Sequence, residues 1–122
     1  MTSELLIHIG DLFYAIAKAD KNLSFEEYIK LSDTLEKHWS FIGESGMTQI
    51  KAQFNTLQKN GASADESFDK FIAFLHQNSH QFDDDLKSLI LKTANEIAYA
   101  FAKINKSELN LMARLSIEFK KS

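Results

Sequence analysis

Ala15-Ile16-Ala17-Lys18-Ala19-Asp20-Lys21-Asn22-Leu23-Ser24-Phe25-Glu26-Glu27-Tyr28 is the stretch on which the fold turns, because its outline returns near the other end of the chain. There, Ala98, Ala100 and Ala102 lead through Lys103 and Ile104 to Asn105-Lys106-Ser107-Glu108-Leu109. In both copies alternate alanines permit close backbone approach, and Ser24 or Asn105 stands as N-cap with a glutamate, Glu27 or Glu108, three residues later. Leu23 with Tyr28, and Ile104 with Leu109, occupy the positions of a hydrophobic staple, which fixes how the chain turns into each second helix. Each copy therefore reads as helix, tight loop, helix, and the second loop is two residues shorter where Asp20 would have its counterpart.

Outward from these loops the helical period is legible in six places. Leu5, Ile9, Leu12, Phe13 and Ile16 share a face over about 3–18, with Thr2 or Ser3 as N-cap. Tyr28, Leu31, Leu35 and Trp39 form a stripe over about 25–39, and Gly43-Glu44-Ser45-Gly46 then reads as a connector. Met47, Ile50, Phe54 and Leu57 make a third helix that stops at Asn60-Gly61. Ser63-Ala64-Asp65-Glu66 is a capping box ahead of Phe68, Phe71, Ile72 and Leu75, in a helix ending near Gln77. Leu86, Ile90, Thr93, Ile97 and Phe101 follow over about 82–102, with Asp83, Asp84 and Asp85 complementing the positive end of that helix. Leu109, Met112, Leu115 and Phe119 mark a last helix at about 106–120. No linker divides the chain, so the expectation is an all-α, single-domain bundle spanning 1–122, of about six helices built on two related helix–loop–helix units.

Composition agrees. The 122 residues include no proline, no valine and only four glycines, which removes most strand-favouring and turn-forming residues. The absence of cysteine excludes a disulfide framework and thiol chemistry. A net charge of −3 with a single arginine, Arg114, argues against nucleic acid as a partner. The longest apolar run, Ile97 to Ala102, is far below the ~20 residues a membrane helix needs, and no basic leader precedes Leu5. A cytoplasmic protein with no direct membrane insertion is expected.

The stretch Ala19-Asp20-Lys21-Asn22-Leu23-Ser24-Phe25-Glu26-Glu27 resembles the motif of the TerB-like tellurite-resistance domains at Ala19, Asp20, Leu23, Ser24 and Glu27, and the duplicated layout resembles theirs as well. Lys21 departs from the usual glycine, and the second copy keeps only Ile104, Asn105 and Glu108. The resemblance implies a non-enzymatic protein-interaction module of a bacterial stress or tellurite-resistance system, with protein partners in a membrane-associated assembly. It also implies a divalent-cation loop, for which Asp20, Asn22 and Glu27 supply oxygen ligands for calcium or magnesium. An EF-hand does not fit: counting from Asp20, Phe25 falls where glycine is needed and Leu31 where the bidentate glutamate is needed. With Lys21 adjacent, binding is expected to be weak. Ser24, Glu27, Asn105 and Glu108 are otherwise explained as structural caps.

Other chemistry has little support in the sequence. His76 and His80 have zinc-site spacing, but Gln77 replaces the general-base glutamate and Asn78-Ser79 ends the helix between them. His8 and His38 have no companion nearby. There is no Gly-rich phosphate loop and no nucleophile elbow, so no enzymatic activity is expected. Phe25, Phe41 and Phe74 fall off the apolar stripes and are candidates for a partner-binding surface, which Tyr14 and Tyr99 could join. The competing reading is an unrelated acidic immunity-type or adaptor protein that neutralises a basic partner.

Overall fold

The computed structural model describes residues 1–18, 25–101 and 106–122, with the side chains of 25–27, 101 and 106–108 excepted. Every described element is helical: α1 (Ser3–Lys18), α2 (Phe25–Trp39), α3 (Gly43–Lys59), α4 (Ala64–Gln77), α5 (Asp84–Phe101) and α6 (Lys106–Lys121), with short 3-10 turns at Ser40–Ile42 and Ser79–Gln81. The architecture is an all-α bundle.

α1 is its axis. Of its 16 residues 11 are buried, and from Ile9 to Ala17 no face meets solvent. That follows from the sequence: the apolar stripe is widened by Tyr14, Ala15 and Ala17, so α1 can be covered on several sides at once, by α3, α4, α5 and α6. α2 packs on α5 and α3, and α5 on α6. Gly10 sets the α1–α3 separation, since a Cβ there would lie 2.9 Å from the Cβ of Gln53 and 3.0 Å from the Ile50 carbonyl oxygen.

Helix ends follow local chemistry. Ser63 accepts from the Glu66 amide at 3.0 Å, as the capping box requires. α3 closes in a Schellman motif: Gly61 sits at φ 63°, its N–H donating to Gln58 O while Ala62 N–H donates to Leu57 O. Tyr14 locks this end to the axis by donating its hydroxyl to Ala62 O at 2.7 Å. At the other end of the chain, the Lys87 ammonium donates to the carbonyls of Phe119 and Ser122, holding the last turn of α6 against α5.

Three expectations are corrected. Gly43-Glu44-Ser45-Gly46 is not a connector but the first turn of α3. Gly43 adopts φ 81° at the turn into the helix, and Gly46 packs where a Cβ would lie 2.9 Å from the Ile42 side chain. Leu109 is exposed, because the inward face of α6 is Leu111, Leu115 and Phe119. Tyr14 is wholly buried. The alanine pattern also differs between the two copies: Ala15 and Ala17 are both buried, whereas Ala98 is buried and Ala100 exposed. Asp20, Asn22, Leu23, Ser24, Ile104 and Asn105, with the side chains of Phe25, Glu27 and Glu108, lie outside the described residues.

A candidate binding groove

The starts of α1 and α5 lie side by side. Thr2 caps α1 by accepting from the Leu5 amide at 3.1 Å, and Asp83 caps α5 by accepting from the Leu86 amide at 2.8 Å. Thr2 also donates its hydroxyl to Gln81 Oε1 at 3.3 Å, tying the first helix to the 3-10 turn that precedes the fifth. Between them opens a cavity of about 610 Å³. Leu5, Leu86, Leu89, Phe41 and Met1 supply its apolar lining, and Asp83, Asp85 and His80 stand among its polar residues.

Phe41 gives this groove its character. It projects from the turn after α2 and is 65% exposed, yet it is backed by a rigid support. Its ring stacks on Trp39, 6.0 Å between centroids and 22° from parallel. Trp39 is buried, meets Phe13 edge-on, and donates its indole N–H to Thr93 Oγ1 at 2.8 Å. Thr93 in turn donates to the Leu89 carbonyl one helical turn back, so the fixed indole and the wall of the groove share one hydrogen-bonded path. An exposed aromatic ring over an immobile indole loses little freedom on binding, which suits it to anchor another molecule.

Phe74, the other described candidate, is only 3% exposed. It stacks on the His8 imidazole at 4.5 Å and meets Phe82 edge-on, so it belongs to the interior rather than to a partner surface. Tyr99 is 71% exposed but does not line the groove. Leu5, Leu86 and Leu89 were not distinguishable in sequence from ordinary core positions.

Several polar groups elsewhere are paired. His8 Nδ1 lies 2.9 Å from Asp11 Oδ2, and Gln53 donates to Asp11 Oδ1 at 2.7 Å. Asp11 is 1% exposed, and burial holds its carboxyl above the usual carboxylate range despite these partners. His38 donates to Glu96 at 2.8 Å, and that hydrogen bond holds the Glu96 carboxyl below its ordinary value, with Lys37 adding attraction at 3.7 Å. His76 Nε2 is engaged by Glu118 at 2.7 Å, while His80 lines the groove. Among the described residues no group of three or more His, Cys, Asp or Glu side chains is placed to hold a metal ion, and no helix is long and apolar enough to cross a membrane.

The two shifted carboxyls give opposite pH signatures. Asp11 keeps its proton to higher pH folded than unfolded, so its contribution to stability is full below its ordinary value of 3.8 and declines as pH rises through the folded value. Glu96 contributes above its ordinary value of 4.5 and loses that contribution as pH falls through the folded value. Asp11→Asn should therefore gain on the parent protein as pH is raised from about 3 to about 7, whereas Glu96→Gln should lose ground over the same span. Urea unfolding at stepped pH measures both; parallel curves for Asp11→Asn and parent would refute the assignment.

Comparison of the chain with protein-family models, with curated protein sequences and with solved structures returns no match.

Proposed function

We propose that residues 1–122 form a single-domain, non-enzymatic docking module of the TerB-like kind, about six helices built on two helix–loop–helix units, that recognises another protein through the groove between α1 and α5. The observation that carries the docking reading is Phe41, exposed at an apolar cavity and stacked on an immobile tryptophan. The duplicated layout has support in one feature of the packing: α2 rests on α5 and, more lightly, α6 on α1, the exchange that a pseudo-twofold relation between the units would produce. On this reading the setting is a cytoplasmic stress or tellurite-resistance system whose partners include membrane-associated proteins. Its cation loop at Asp20, Asn22 and Glu27 binds calcium or magnesium weakly, on the order of 10⁻⁴–10⁻³ M. The acidic immunity-type or adaptor reading keeps support from Asp83 and Asp85, which place negative charge on the same groove.

The test is differential capture from host extract. Phe41→Asp is expected to unfold at the parent's denaturant midpoint, within about 0.5 kcal/mol, because the ring is exposed. It should lose a partner that both the parent and Tyr99→Asp retain. Capture unchanged in Phe41→Asp overturns the groove as the docking site.

A further inference from the structure

Resting on that docking reading, we infer that the groove accepts a basic amphipathic helix, whose apolar side chains enter the cavity while Lys or Arg beside them meets Asp83 and Asp85. The first reason is the mode of recognition open to this fold. Among the described residues there is no strand, so no sheet edge exists on which an extended peptide could form a ladder. The apolar groove instead suits side chains inserted between helices, the way an amphipathic helix presents anchors at i, i+3, i+4 and i+7.

The second reason is charge. Among the described residues no lysine or arginine lines the cavity, whereas Asp83 and Asp85 do. Neither carboxylate has a cationic partner among the described residues; that of Asp83 accepts the capping amide of Leu86. Beside these two charges stands, among the described residues, the His80 imidazole and no ammonium or guanidinium side chain, so the mouth is negative on a chain already at −3. An acidic or neutral helix would leave Asp83 and Asp85 beside apolar surface with less water around them, and a basic one compensates that loss. The hydrophobic floor and the charged rim thus select for the same partner by different means: Leu5, Leu86, Leu89 and Phe41 supply affinity, and the carboxylates supply orientation and preference.

The experiment uses three synthetic helices of about 14 residues, roughly four turns: one of Leu and Lys with the leucines on one face, one with Lys replaced by Glu, and one with Leu replaced by Ser. Trp39, the only tryptophan, reports through its stack with Phe41, and amide shifts at Leu5, Leu86 and Leu89 locate the contact. The Leu/Lys helix is expected to bind saturably and to weaken with salt, the Leu/Glu and Ser/Lys helices not to bind, and Asp85→Lys to weaken the Leu/Lys helix about fivefold. Asp85 is chosen because Asp83 is a helix cap. Equal binding of the Leu/Lys and Leu/Glu helices, or no change in Asp85→Lys, overturns the basic-helix inference and leaves the docking reading standing. Equal binding of the Ser/Lys helix shows surface attraction without insertion and also overturns it. If neither leucine helix binds while Phe41-dependent capture of a native partner persists, the inference alone falls; if that capture is absent too, the docking reading falls with it.

Discussion

Phe71→Ala is expected to cost about 3–5 kcal/mol, a large share of the roughly 5–15 kcal/mol that holds a domain folded. Phe71 is completely buried on α4 and meets Phe82 edge-on at 5.8 Å and Phe119 at 6.2 Å. Phe82 in turn meets Phe74 and Phe119. One ring therefore joins α4, the turn before α5, and the last turn of α6. Truncation removes the transfer energy of the benzyl group and leaves a cavity that three separately anchored segments cannot collapse to fill. Guanidinium unfolding measures the loss, with Phe41→Ala as the comparison, since its ring lies largely in solvent. A cost below about 1 kcal/mol for Phe71→Ala would mean that these rings do not pack as described.

Gly10→Val is the second large effect, expected at about 3 kcal/mol. In an ordinary helix, replacing glycine by a residue with a Cβ helps, by up to about 1 kcal/mol for alanine. Here the added atom meets Gln53 Cβ at 2.9 Å and the Ile50 carbonyl at 3.0 Å, neither of which is the far end of a flexible side chain. α1 and α3 must part, and the hydrogen bond from Gln53 to buried Asp11 stretches with them. The variant's denaturant midpoint should fall, and Gly10→Ala should fall less. A midpoint raised in both would show that the helices have room to spare.

How far the sequence could be read depended on the range of the interaction involved. The limits of α1 and α2, the stop at Gly61 and the cap at Ser63 depend on residues within a few positions of one another, and they stand as the pattern implies. Gly43 and Gly46 were misleading, because glycine marks turns and close packing alike, and the Ile42 side chain that Gly46 accommodates gives no periodic signal. Phe74 was misplaced because a stripe gives the centre of a buried face but not its width, and the face that α4 packs on α1 takes in Ser67 and Phe74 beside Phe68, Phe71 and Leu75. His8 reads in sequence as having no companion nearby although Asp11 stands three residues on, and the second partner of Asp11, Gln53, is 42 residues away. The groove was legible only through Phe41. Its remaining wall joins Leu5 to Leu86 and Leu89, of which Leu5 and Leu86 lie on the stripes of two helices far apart in sequence and Leu89 lies on neither.

The burial of α1 on nearly every side has a consequence for how the chain reaches this state in the cell. The helix that ends at the centre is made before α3, α4, α5 and α6, all of which enclose it. At a synthesis rate of about 5–20 residues per second, the roughly 100 residues that follow take about 5–20 s to appear. Until that interval closes Leu5, Leu6, Ile9, Leu12, Phe13 and Ile16 lack their full native cover, and the nascent segment is a natural client for a chaperone that binds short apolar stretches. The cover of α1 is thus complete only once α6 has been made, and any slowing of synthesis between α4 and α6 lengthens its exposure.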